Sequence, residues 1–309
     1  MYPSQHNPKG FSLVELMIAV AISSAVMIGI WAVYSVQERT GGAQEVLTDL
    51  QQNLRTAIFT MTQEIRTAGF DPTGSGNFGI TFVGFQEQNN AGAVVIGNNS
   101  ALIFTADNGA GANAENGILD ADETYTFSLF QFGWNVAGGV GTGTTTDLGR
   151  NTGAGLQPFV QNIEALGLAY AYDLNGDGAL DTYTVTAGPL AGTQQVIWAI
   201  DSNNDGTLDT LLDTNGDGNI FRNDGPSANA DVNAVVNENI VGVPIAPAAE
   251  MKDIRAIRIW IVTTEDAAEH GKYLDQYTYV VGRRIYTPRD NRRRRLLDTI
   301  VYCKNMGLQ

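Results

Sequence analysis

A run of apolar residues from Phe11 to Val36, broken by a single charged side chain, Glu15, constrains this chain more than any other feature. Leu16 to Val36 is 21 residues without a charge. At 1.5 Å per residue that is roughly 32 Å of helix, enough to cross a bilayer. In lipid such a segment is helical because a lone open strand would leave its backbone polar groups unpaired. A carboxylate one turn inside it is expensive and marks function. A short polar leader with one lysine, Lys9, precedes the run and stops at Gly10. Two plainer readings compete. A secretory signal is cleaved at small residues after its apolar run, whereas the break here precedes the run and no Ala-x-Ala site closes it. A simple membrane anchor accounts for the length but leaves Glu15 without a partner.

The stretch Gly10-Phe11-Ser12-Leu13-Val14-Glu15-Leu16 resembles the class III signal of type IV prepilins and type II secretion pseudopilins. The resemblance implies cleavage between Gly10 and Phe11 by a prepilin peptidase, N-methylation of Phe11, and an assembly role for Glu15 opposite the N-terminal amine of a neighbouring subunit. Three further segments resemble PilW-type minor pilins: Glu64-Ile65-Arg66-Thr67-Ala68-Gly69-Phe70; Asp253-Ile254-Arg255-Ala256-Ile257-Arg258-Ile259; and Arg292-Arg293-Arg294-Arg295-Leu296-Leu297 with Lys304-Asn305-Met306-Gly307-Leu308 after it. The implied partners are other major and minor pilins, the prepilin peptidase, the inner-membrane assembly platform and, before assembly, the inner membrane itself. The implied location is a single pass of the inner membrane with a periplasmic C-terminal domain, then the pilus at the cell surface.

Charge and cysteine usage narrow the function classes. The 309 residues carry a net charge of −15, and without the one-lysine leader the rest stands at −16. That balance disfavours nucleic acid as a partner and favours cations and a solvated surface. The one cysteine, Cys303, has no internal disulfide partner. An exported chain of this kind is held by its core, by metal or by assembly. With only His6 and His270 as histidines, no Ser/His/Asp, Cys/His or zinc-spaced set can be assembled, and an enzyme is not expected.

Beyond Val36 the helical pattern continues, with a weak point or bend expected at Gly41-Gly42. Leu47, Leu50, Leu54, Ile58, Met61, Ile65 and Ala68 then recur at spacings of three and four, one apolar stripe that needs a surface to cover. Gly69 and Asp71-Pro72 close the helix. From Phe78 onward, short strands are expected at Ala93–Ile96, Ala101–Thr105, Thr124–Phe130, Leu166–Tyr172, Thr182–Ala187, Gln195–Ile200, Ile254–Thr263, Tyr277–Val281 and Ile300–Tyr302, with a Gly/Thr loop from Gly138 to Gly155. Ile257, Ile259 and Ile261 mark one face of their strand, Arg258 and Trp260 the other. The fold class is therefore α+β, and the resemblance implies its pilin-like form, a long N-terminal helix on a C-terminal antiparallel sheet domain with calcium-loop insertions. Its segments are a leader at 1–10, a membrane or filament-core helix at 11–36, an amphipathic continuation at 37–70 and a β-rich domain at 71–309.

Three loops between 173 and 224 repeat one pattern of oxygen ligands. The first offers Asp173, Asn175, Asp177, the carbonyl of Ala179, and Asp181. The second offers Asp201, Asn203, Asp205, the carbonyl of Thr207, and Asp209. The third offers Asp213, Asn215, Asp217, the carbonyl of Asn219, and Asp224 at position 12. Oxygens at positions 1, 3 and 5 converge when glycine at 6 permits a sharp turn, and hard oxygen donors suit Ca²⁺. The first two loops resemble thrombospondin-type or short bacterial calcium loops, the third an EF-hand or dockerin loop with Asp replacing Glu and with Phe221 at position 9. The alternative is Asn-Gly and Asp-Gly hairpin turns that bind nothing, although nine Asp in the three loops repel one another without a cation. Asn113–Asp122 holds a degenerate echo of the pattern. The run Arg292–Arg295, with Arg283, Arg284 and Arg289 nearby, reads as a solvated loop or a contact with acidic patches of neighbouring subunits. Three functions fit: a minor pilin, a type II secretion minor pseudopilin, and a helix-anchored calcium-dependent adhesin.

Overall fold

In the computed structural model, residues 10, 12–89, 93–130, 146–153, 155–227, 236–265 and 273–307 are described. Phe11 and half of the expected Gly/Thr loop lie outside them. The chain divides into two compact units, Met1–Asp49 and Leu50–Gln309.

The first unit is helical. One helix, α1, runs from Leu13 to Ile65 and contributes its first part here. It stays helical through Gly41-Gly42, where a bend was expected. Straight i→i−4 bonding survives two glycines because their cost, about 1 kcal/mol each against Ala, is small beside the cooperativity of a long helix. Leu13, Met17, Ile22, Ile28, Trp31 and Val36 are all exposed. A helix apolar all round and buried on no side is built for lipid or for other helices. Its length and composition suffice to cross a membrane.

The second unit begins with the last turns of α1 and continues as sheet. In chain order its strands are β1 Ile80–Gln88, β2 Val94–Thr105, β3 Thr124–Phe130, β4 Asp147–Thr152, β5 Gln157–Val160, β6 Ile163–Tyr172, β7 Thr182–Thr184 and β8 Gln194–Val196. They continue as β9 Ala199–Ile200, β10 Thr207–Leu211, β11 Asn237–Asn239, β12 Val243–Glu250, β13 Ile254–Thr264, β14 Tyr279–Val281, β15 Arg284–Tyr286 and β16 Arg294–Tyr302. A five-stranded sheet has the order β1-β2-β3-β4-β5, and a six-stranded sheet β12-β10-β9-β6-β13-β16. A three-stranded sheet, β11-β15-β14, and the hairpin β7-β8 complete the unit. Neighbours are antiparallel except for a short parallel pairing of β1 with β3. The long helix followed by antiparallel sheet is the α+β arrangement expected. Two expected strands, Ala93–Ile96 and Ala101–Thr105, are one strand, β2. β4 lies inside the segment expected to be a Gly/Thr loop, because Asp147–Thr152 pairs with β3 along its whole length.

The apolar stripe of α1 finds its surface within this unit. Leu54, Ala57, Met61 and Ile65 pack with Leu102, Phe127, Leu166, Ile257, Ile259, Ile261 and Val301 in one core. Each large side chain removed from water contributes about 2 kcal/mol. On the other side of β13, Trp260 and Val262 join a second core with Ala165, Ala169, Val281 and Ile285. The period-2 alternation of β13 therefore separates two cores. After Ile65 the chain turns at Gly69, which has φ +74° and which a side chain would drive into the Met306 sulfur, 2.6 Å from the position of a Cβ. The C-terminal turn Lys304–Met306 closes this end: the Asn305 amide donates to the Arg66 carbonyl at 3.1 Å, and the Cys303 N–H to Arg255 at 2.8 Å. Cys303 is buried, and burial pushes its thiol up to about 12.

Candidate functional site

At the start of α1, Ser12 and Glu15 bond reciprocally. The Ser12 N–H donates to the Glu15 carboxylate at 2.8 Å, and the Glu15 N–H donates to the Ser12 hydroxyl at 3.2 Å. This is a capping box, which satisfies two of the helix's orphan donors. The signal for it, Ser-x-x-Glu ahead of an apolar run, stands in the sequence. Glu15 therefore has a local structural task besides any task in assembly. Gly10 is exposed with nothing within 4 Å of where a side chain would begin.

The three acidic loops share one backbone conformation. Position 4 has positive φ in each: Gly176 at 73°, Asn204 at 62° and Gly216 at 70°. Position 6 does too: Gly178 at 82°, Gly206 at 89° and Gly218 at 85°. That is why glycine recurs at 6 in all three. The position-1 carboxylate accepts backbone N–H groups from the turn it closes. Asp173 takes them from Gly176 at 2.7 Å and Gly178 at 2.9 Å. Asp201 takes them from Asp205 at 3.2 Å and Gly206 at 2.7 Å, and Asp213 from Gly216 and Gly218 at 2.7 Å each. The Asn at position 3 accepts from the N–H of position 5, and Asp at 5 from the N–H of 7, in every loop.

The ninth-position acids do something else. Asp181 accepts the Leu174 N–H and Asp209 the Ser202 N–H, so each is tied back to the loop's start. In the third loop Asp224 accepts from Thr214 at 2.8 Å and Phe221 at 2.8 Å. Among the described residues no three carboxylate, imidazole or thiol side chains converge on one point. Instead the Asn175 and Asn203 amides donate to Asp177 and Asp205, at 3.1 and 2.9 Å. The donor set is nevertheless all oxygen, on turns already closed. All-oxygen donors of this kind are the chemistry that a hard cation takes.

The loops' electrostatics differ by depth. Desolvation pushes the Asp201 and Asp224 carboxyls up, against the pull of the N–H groups they accept. At Asp173 desolvation acts in the same direction but the N–H groups of Gly178, Gly176 and Asp177 outweigh it, and the carboxyl lies below the ordinary value. The expected echo at 113–122 forms a different structure, with the Asn116 and Gly117 N–H groups donating to Asp107.

The arginine run corrects the expectation of a solvated loop. Arg294 opens β16 and is buried, its side chain 4% exposed. It bonds Glu164 at 2.6 Å and Asp290 at 2.6 Å, and lies 3.4 Å from Asp275. The Tyr279 hydroxyl also donates to Asp275, at 2.9 Å. Arg293 stacks over Tyr273, Arg283 over Phe85 and Arg284 over Tyr286. Burial of Arg294 depends on strand pairing with β13, opposite Thr264, which a run of four arginines does not announce.

The apolar N-terminal segment leads into a bilayer-length helix, and an antiparallel sheet domain follows it in the chain. The family model of the prokaryotic N-terminal methylation motif matches residues 5–31. Among solved structures the chain is similar to the type IV-like pilin TTHA1219 from Thermus thermophilus, at 11% identity and a TM-score of 0.38, over 84% of this chain and 97% of that one. No curated protein matches the sequence.

Proposed function

We propose that this chain is a minor pilin, a non-catalytic subunit that primes or caps a type IV pilus and binds Ca²⁺ through its acidic loops. The observation that carries the reading is the start of α1: a Gly10-Phe11 pair within the matched methylation motif, then Glu15 on an apolar helix whose side chains are exposed. When that helix leaves lipid for a filament core, Glu15 loses solvation at a cost of several kcal/mol unless a cation meets it. The amine released at Phe11 by cleavage is that cation, so processing gates assembly. Scarcity follows from bulk and charge, since copies at −16 each repel one another along a fibre.

The capping box supplies the test. Glu15→Gln keeps an S-x-x-Q box while removing the charge. Quantitative mass spectrometry of sheared filaments should find the wild-type chain as a rare subunit and the Glu15→Gln chain missing, with both inserted in the membrane. Normal incorporation of Glu15→Gln would refute charge pairing, and abundance rivalling the main subunit would refute the minor role. The calcium part rests on three loops with one hydrogen-bond pattern and all-oxygen donors. It also admits a surface-attachment role for the domain. A pseudopilin of type II secretion is the alternative, and the secretion machinery co-purifying with this chain would favour it.

A further inference from the structure

A cavity of about 530 Å³ lies on the face of the six-stranded sheet that carries Arg258, with the hairpin β7-β8 and the third acidic loop as its walls. Its size is that of ordinary small-ligand sites. Three aromatic residues line it, Tyr183, Trp198 and Tyr302, together with Gln195, Asn219 and Arg258, whose guanidinium lies over Trp260. The two amides make only long internal hydrogen bonds, 3.5 and 3.3 Å. The Arg258 Nε is buried without a partner, while another nitrogen of the same group pairs with Asp298 at 3.0 Å.

We propose that this cavity binds a neutral saccharide of one or two rings. An apolar ligand would cut the weakly bonded Gln195 and Asn219 amides off from water with nothing in return. A strongly anionic ligand would have to displace or repel Asp298, which already neutralises Arg258. A sugar ring meets both demands. Its axial C–H faces lie on aromatic faces, whose quadrupole is negative, and its hydroxyls bond in the ring plane to planar amide and guanidinium groups. The aromatics come from three separate elements, β7, the segment before β9, and β16, so the site exists only in the folded unit. Asp213 and Asn219 line the cavity and also belong to the third acidic loop.

Saturation-transfer NMR on the full chain, in a detergent without a sugar headgroup, tests this. The probes are methyl glycosides of glucose, galactose, mannose and N-acetylglucosamine, with cellobiose and maltose. At least one should receive saturation with a Kd on the order of 1–10 mM. Trp198→Ala should weaken it by at least about tenfold. Tyr302, half exposed at the sheet edge, provides a second variant, Tyr302→Ala, should the loss of Trp198 unfold the protein. Absence of transfer from every probe at about 20 mM, or transfer unchanged in Tyr302→Ala, would overturn the site. Transfer in chelator as well as in calcium supports it independently of the cation reading, which stands or falls on melting temperature.

Discussion

Two acidic regions of the globular unit stabilise their carboxylates in different ways. Around Arg294, the carboxylates of Glu164, Asp275 and Asp290 face a guanidinium, and the cluster neutralises part of its own charge. In the loops at 173–224, the carboxylates accept chiefly from backbone N–H groups and Asn amides. N–H dipoles orient a carboxylate without cancelling its charge. The first arrangement is complete and serves as internal structure. The second retains its negative charge on a fixed turn, which is the condition for taking up a cation from outside.

Breaking the complete cluster should have the largest effect. Arg294→Met leaves Glu164 and Asp275 facing each other without their counter-ion, and should cost about 3 kcal/mol by denaturant unfolding. Added calcium should not restore that loss. A variant as stable as the wild type would show that the cluster is not structural.

A smaller effect is expected at the loops, and of the opposite kind. At affinities on the order of 10⁻⁴–10⁻³ M, 10 mM calcium should stabilise the protein by about 1.4 kcal/mol for each occupied site at the weaker end of that range. Magnesium should do much less. Asp205→Ala and Asp217→Ala should each lose part of the gain while changing little in chelator. Equal melting temperatures in calcium and chelator would remove the calcium proposal.

The smallest effect is in pH, and its sign separates the two regions. The Asp290 carboxyl is held down chiefly by its hydrogen bond to Arg294. Its contribution is present above the unfolded value of about 3.9 and is lost as pH falls through the lower folded value. The Asp201 carboxyl is pushed up by desolvation. Its contribution is present below about 3.9 and is lost as pH rises through the higher folded value. In chelator, from pH 4 upward, Asp201→Asn should therefore gain stability relative to the wild type. For Asp290→Asn the relative loss should already be complete there and should shrink on further acidification. The same sign for both variants would erase the distinction.

What the sequence determined by itself is what short-range physics controls. The methylation motif and the membrane-length helix are continuous segments, and the stripe from Leu50 to Ala68 is set by a 3.6-residue period that buries Leu54, Met61 and Ile65 as it implies. The turn geometry of the three loops was legible because positive φ at positions 4 and 6 is a local demand met by Gly or Asn. Even the capping box was legible in Ser12 and Glu15, though its chemistry was assigned elsewhere. Tertiary structure alone decided the rest. β4 is a strand because β3 lies beside it. Arg294 is internal because β16 pairs with β13 and brings Glu164, Asp275 and Asp290 around it from 130, 19 and 4 residues away. The cavity of Tyr183, Trp198 and Tyr302 exists because distant strands meet there. Partners so far apart along the chain leave no periodicity in it, and burial of a charge is settled only when they arrive together.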